Sequence, residues 1–377
     1  MDHPFARERA LFPLLAHKAQ LSSCSQSALA TPVNEALQAY LSSWREKGMD
    51  WGGWQQVLDQ AKAEFARAIG AQASDIAVMS SVSDLVSSLA HSLDWGGGRD
   101  RVVLTDVDFP TVGHVWLAQQ ARGADIRFID ADADGVIALD AYRQALDSST
   151  RLVSISQVSY GNAFRQDVAA IARITHEHGA LLLVDAYQSA GSMVIDVVRD
   201  GIDVLVSGAQ KYLLGCPGIA FMYVRPSLAA QLRPPTTGWF GRVNPFAFDI
   251  RTLDYADGAR RFETGTPPYI NAFAARAGMA LLNQVGIDRV EAWLAHLSAV
   301  ALREADRHGL SVASPRDPAL KGAATAIRVN DSAAVERRMA EAGYVVSARG
   351  AVIRVAPHFY STEDDVAGAI AALARLR

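Results

Sequence analysis

Between Ala180 and Val224 the chain runs ALLLVDAYQSAGSMVIDVVRDGIDVLVSGAQKYLLGCPGIAFMYV. Three short apolar runs stand out: Ala180 to Val184, Asp203 to Val206, and Ile219 to Val224. Each is bounded by Gly, Pro or polar residues, and each is short for a helix. Such runs read as buried strands of a mostly parallel sheet. Asp185 closes the first run. The second leads through Ser207-Gly208-Ala209-Gln210 into Lys211, and Pro217-Gly218 opens the third. Open α/β sheets bind ligands beyond the carboxyl ends of their strands. Asp185 and Lys211 are therefore expected on the binding side.

The preceding sequence alternates strand and helix patterns. IAVMS, RVVLT, ADIRFID and RLVSIS read as strands, and Asp84 to Leu93, Val112 to Arg122 and Val168 to His178 as helices. Strands alternating with helices form right-handed βαβ units. The expected fold class is α/β: a large domain with a mostly parallel sheet flanked by helices, and a smaller α+β domain. Residues 1 to about 20 read as an amphipathic helix, Pro32 to Gly48 as a second, Trp51 to Trp54 as a turn, and Gln55 to Ile69 as a third helix. Arg233 to Thr266 is rich in Gly, Pro, Arg and aromatics and has no clear period, which marks a long functional loop. Long helices follow, at Tyr269 to Gln284 and Asp288 to His308. TAIRV, YVVSA and VIRVAP then read as strands, and Ser361-Thr362-Glu363-Asp364 opens the last helix. The expected division is 1–45 as a segment joining the small domain, 46–265 as the large domain, and 266–377 as the small domain.

Half of the 377 residues are hydrophobic, enough for a large core, and the net charge is −4 with no basic block. Nucleic acid and anionic membranes are not expected partners. No apolar run approaches the roughly 20 residues that span a bilayer, and the N-terminus lacks a signal-peptide core. A cytoplasmic protein is expected. Cys24 and Cys216 give neither a disulfide framework nor a zinc spacing. His176-Glu177-His178 places its histidines on different sides of a helix, so no metal site is expected.

Several residues could share one chemistry. A lysine desolvated near a strand end becomes a nucleophile, and Lys211 has that position. A carboxylate after a buried strand, Asp185, can keep a pyridine nitrogen protonated. Gln188 lies three residues on. Ser81-Val82-Ser83 join a strand to a helix, where hydroxyls and free N–H groups suit a phosphate. Phe109 sits in a strand-to-helix loop and could stack on a ring. Arg354 lies in the apolar strand VIRVAP, where a charge needs a partner, and a guanidinium fits a carboxylate. Arg349 is a second candidate. Taken singly, each also fits a structural role: a surface lysine, a strand-end cap, a serine N-cap, a core phenylalanine, a structural ion pair.

In this order the stretches LVDAYQSAG, SGAQKYLLGCPGIAFMYV, RFETGTPP and IRVAPHFYSTEDDV, with LSSCSQSALATPV near the N-terminus, resemble the fold-type I pyridoxal-phosphate (PLP) enzymes. Within them the chain is similar to the class V aminotransferase group, which also holds cysteine desulfurases and kynureninases. The resemblance implies that Lys211 forms the internal aldimine, Asp185 pairs with the ring nitrogen, and Gln188 lies near the phenolic oxygen. Ser81, Val82, Ser83, Phe109, Ser207 and Gln210 join the cofactor-binding set. Arg354 would bind the substrate carboxylate, with Arg349 and Trp239 beside the substrate. Thr266 would reach the phosphate of the neighbouring subunit in a homodimer with shared active sites.

The substrate is then an amino acid, and the leading activity is class V aminotransfer. A kynureninase-like hydrolase or a Cβ-eliminating C–S lyase is the alternative, and a non-catalytic PLP-binding protein a further one. Asp108-Phe109-Pro110-Thr111 and Thr237-Gly238-Trp239-Phe240-Gly241 look like kynureninase segments. Gln188 and Gln210 depart from that pattern, which has His and Tyr there. No cysteine follows Cys216, so the mobile persulfide cysteine of the desulfurases is not expected.

Overall fold

The computed structural model describes residues 3–377. Residues 1 and 2 of the expected N-terminal segment lie outside the described residues. The chain starts with a short helix α1 (Ala6–Arg9), a 3-10 turn (Pro13–Ala16) and strand β1 (Ala19–Gln20). One helix over this stretch was expected. Pro13 has no N–H to continue a helix, and the bend lets Phe5 and Phe12 pack on Phe359 and Tyr360. Helices α2 (Thr31–Lys47) and α3 (Trp51–Ala68) follow. The expected turn at Trp51 to Trp54 is the first turn of α3. Aromatic contacts of Trp51 and Trp54 with Tyr269 offset the low helix propensity of Gly52 and Gly53.

The main sheet holds β2 (Ile76–Met79), β3 (Arg101–Thr105), β4 (Asp125–Ile129), β5 (Thr150–Ser156), β6 (Leu181–Asp185), β7 (Val204–Gly208) and β8 (Ala220–Val224). Its order is β2-β8-β7-β6-β5-β3-β4. Six strands run the same way; β8 is antiparallel to both its neighbours. An apolar run does not encode strand direction, so this reversal was not legible. The helices between strands are α4 (Val82–His91), α5 (Pro110–Ala118), α6 (Leu139–Ala145) and α7 (Val168–Glu177). Along β6, Leu182 and Val184 join the core on one face and Leu183 the core on the other. Burial on both faces explains why the strand sequences are continuously apolar.

After α8 (Pro226–Ala229), residues 230–268 form a loop with 3-10 turns at Trp239–Gly241, Pro245–Ala247 and Gly258–Phe262. Helix α9 (Tyr269–Val285) packs against α2 and α3, and α10 (Ile287–Arg307) follows. Three further strands, β9 (Thr325–Arg328), β11 (Ser347–Arg349) and β12 (Val352–Val355), make an antiparallel sheet of order β11-β12-β9. It is backed by α11 (Ser332–Glu341) and by α12 (Glu363–Leu376), which starts in a capping box at Thr362. β10 (Tyr344–Val345) leaves this sheet and pairs in parallel with β1, so the N-terminal segment is stitched to the C-terminal part. The single expected strand YVVSA is thus two, serving different sheets.

Candidate functional site

A cavity of about 260 Å³ lies where the main sheet meets the small one. Asp185 enters it from the end of β6, and Lys211 from the loop that joins β7 to β8. Two loop features hold that lysine. The N–H of Gly215 donates to the carbonyl of Ala209 at 2.8 Å, and Leu214 takes the left-handed conformation (φ 61°) that non-glycine residues rarely adopt. Helix α9 presses on the loop at Gly278, where a Cβ would lie 2.6 Å from the Leu213 carbonyl.

Burial dominates the electrostatics. It pushes the Lys211 ammonium down to about 8, and the Asp185 charge acts the other way. Burial raises the Asp185 carboxyl, against the Tyr187 N–H bond to Oδ1 at 2.8 Å and the charge of Lys211. The Tyr187 ring lies 4.1 Å from Lys211 Nζ, and its hydroxyl donates to Gln210 Oε1. Gly208 permits this: a Cβ there would sit 2.0 Å from the Tyr187 hydroxyl oxygen. The Phe109 ring centroid is 5.7 Å from the same Nζ. Just before it, the Asp108 carboxyl, which burial raises to about 6, accepts the N–H groups of Thr105 and Ser156 and braces the loop.

Arg354 comes from β12 and is 2% exposed. Nη1 donates to the Tyr160 carbonyl at 2.8 Å, and Nη2 to Ser25 Oγ at 2.9 Å and Ser347 Oγ at 2.6 Å. Nε is buried without a partner, and no ion pair among the described residues includes Arg354. Gln188 Nε2 donates to the Cys24 carbonyl at 3.0 Å. Arg349 lines the same cavity.

Seven of the residues singled out from the sequence therefore share one cavity: Phe109, Asp185, Gln188, Gln210, Lys211, Arg349 and Arg354. Ser81, Val82, Ser83, Ser207, Trp239 and Thr266 do not line it. Ser81 caps α4 by accepting the Asp84 N–H, and the amides of Val82 and Ser83 have no backbone acceptor among the described residues. Ser83 Oγ lies 2.8 Å from Thr111 Oγ1 at the start of α5, so two helix N-termini meet there. Ser207 is fully buried and donates to the Gly208 carbonyl. Trp239 lines a separate cavity with Phe248 and Ile250, because its ring packs against Trp51 and Phe240. Thr266 is exposed. Tyr187, Cys24, Ser25, Ser156 and Tyr160 also line the Lys211 cavity. No periodic signal marks them as site residues, although Cys24 and Ser25 lie in LSSCSQSALATPV and Tyr187 in LVDAYQSAG, two of the stretches that carry the family resemblance.

The donor set suits an aldehyde on a nitrogen heterocycle. A desolvated amine can bond to the carbonyl carbon, a buried carboxylate can face a ring nitrogen, and the free amides of Val82 and Ser83 can meet an anion.

The profile of the aminotransferase class-V family matches residues 21–366. A Bacillus subtilis (strain 168) protein named uncharacterized aminotransferase YcbU is 40% identical over 370 residues, 98% of this chain and 97% of its own. A kynureninase of Pseudomonas fluorescens is 26% identical over 306 residues, 78% of this chain and 72% of its own. Among solved structures, the apo cysteine desulfurase of Thermococcus onnurineus NA1 superposes with a TM-score of 0.89 at 21% identity, over 100% of this chain and 98% of that one. The α/β fold expected from the sequence is the fold of that cysteine desulfurase.

Proposed function

We propose that this chain, which belongs to the class-V aminotransferase family, holds pyridoxal phosphate at Lys211 and moves the amino group of an α-amino acid. The observation that carries the reading is Arg354. A guanidinium only 2% exposed has hydroxyl and carbonyl partners but no carboxylate, in a cavity it shares with Lys211. Burying a charge unpaired is costly. A substrate carboxylate would supply the missing countercharge, and an α-amino acid brings that carboxylate beside an amine.

When bound, pyridoxal phosphate would supply an electron sink for the pair left at the substrate Cα. Asp185 would hold a proton on the ring nitrogen. The helix start at Ser81, Val82 and Ser83 would take the phosphate, and Gln188 and Gln210 would flank the ring. Arg354 would fix the α-carboxylate and so orient Cα toward Lys211. Lys211, whose ammonium burial already pushes down to about 8, would accept the Cα proton and return it. Phe109 and Tyr187 would keep water from the amine. The proposal extends to a cytoplasmic homodimer in which exposed Thr266 serves the partner's phosphate.

The kynureninase relative favours one second reading, a lyase or hydrolase acting at Cβ or beyond. Excess amino acid without a keto acid separates the two. Aminotransfer predicts one-for-one conversion of the cofactor to pyridoxamine phosphate. Many turnovers that release pyruvate, alanine or an aromatic acid would overturn it.

A further inference from the structure

The small sheet presents more positive charge to the cavity than one α-carboxylate needs. In its register Ser347 pairs with Arg354, and Arg354 with Ala326. In the next row outward, Arg349 pairs with Val352, and Val352 with Arg328. Residues paired across antiparallel strands share a face, and so do residues two apart on one strand. Arg354, Arg349 and Arg328 therefore lie on one face, with Arg354 deepest. Arg349 lines the Lys211 cavity and also an outer cavity of about 480 Å³, while Arg328 lines only the outer one. Neither Arg349 nor Arg328 makes a side-chain hydrogen bond or ion pair among the described residues.

The charged side chains of the inner cavity are Lys211, Arg349 and Arg354 against Asp185 alone. In the reading proposed above, Asp185 faces the ring nitrogen, Lys211 is spent on the cofactor, and Arg354 takes the α-carboxylate. Arg349 is left over. An exposed arginine needs no protein partner, but this one lines the cavity that holds Lys211 and Arg354. The outer cavity is also lined by Asp106, Asp132 and Asp134. Those carboxylates repel an anion that reaches outward toward Arg328, and so favour a short one that stops at Arg349.

We propose that the substrate is an amino acid with a short acidic side chain, a carboxylate or a sulfur oxyacid, and that Arg349 reads that second acid. This rests on the assignment of the Lys211 cavity as the amino-acid site, and it adds the substrate class.

The test is a spectral titration of the holoenzyme with L-aspartate and L-cysteine sulfinate against L-alanine and L-serine. The acidic amino acids should perturb the cofactor spectrum at concentrations about two- to fivefold lower than the neutral ones, as a charge-assisted contact at an exposed arginine provides. In Arg349→Gln that ratio should fall toward one, and Arg349→Lys should keep part of it. Equal affinities in the wild type, or an acid preference that survives Arg349→Gln, would overturn the assignment of Arg349. If neutral amino acids change the spectrum without any acid preference, only this inference fails. If no amino acid changes it, the reading of the cavity fails with it.

Discussion

Lys211 sits between two influences of opposite sign: burial, which strips its charge, and the faces of Tyr187 and Asp185, which favour it. An aromatic face near an ammonium stabilises the charged form by about 0.5–2 kcal/mol. Tyr187→Leu should therefore move the Lys211 pKa further down from about 8, by roughly half to one unit. The rate at which the cofactor-free protein captures pyridoxal phosphate would then reach its plateau at lower pH, whereas Tyr187→Phe keeps the ring and the wild-type profile. Superimposable profiles for Tyr187→Leu and wild type would dismiss the role. Arg354→Ala should weaken binding of α-amino acids about 10- to 100-fold, the range of a hydrogen-bonded charge pair; an unaltered spectral affinity would move the carboxylate site elsewhere. The charged residues were legible because Asp185 ends an apolar run, Arg354 interrupts one, and Lys211 follows one after a short turn of small and polar residues. Tyr187 was not, since a tyrosine in a strand-end turn carries no periodicity, and its role depends on the bare backbone of Gly208. Cys24 and Ser25 were not, because they reach the cavity from a polar loop that tertiary contacts alone put in place.

The strand patterns gave element positions well and element relations less well. β6 and β7 were visible as apolar runs, but the reversal of β8 was not, and Trp51 to Trp54 was hidden by its two glycines. A second buried lysine belongs to this scale. Lys321, just before β9, has no acid in contact among the described residues. Its Nζ donates to Ser298 Oγ on α10 at 2.6 Å, to the Ala324 carbonyl at 2.8 Å and to Thr325 Oγ1 on β9 at 2.9 Å. It thereby ties the small sheet to α10. Burial lowers its pKa from 10.5 to about 7. A base whose folded pKa is depressed penalises the fold fully below that pKa, and the penalty lifts as pH rises toward the unfolded value. The unfolded chain holds the extra proton in this window, so stability rises by up to about 1.4 kcal/mol per pH unit. Lys321→Met removes that slope. The urea stability of wild type minus variant should thus grow between about pH 7 and about pH 9, and a constant difference would refute the account.

Across the whole molecule, the cavity exists only where two sheets meet. Asp185 and Lys211 hang from the seven-stranded sheet, and Arg354 from the three-stranded one. The N-terminal segment is the brace between them: β1 pairs with β10, Ser25 accepts from Arg354, and Ser27 Oγ donates to the Lys211 carbonyl at 2.6 Å. A chain of two such parts need not unfold in one step. In rising urea the spectral response to amino acids should vanish before the cofactor band itself, because the smaller sheet buries less; simultaneous loss would mean that the parts unfold together. The reversed strand β8 has a mechanical meaning here. It makes the connection that bears Lys211 a return loop between hydrogen-bonded neighbours, with Gly208 opposite Ala220 at its root. Both ends of that loop are held by hydrogen-bonded strands of the same sheet. A shift between the two sheets would therefore change the distance from Arg354 to Lys211 while leaving Lys211 fixed relative to Asp185.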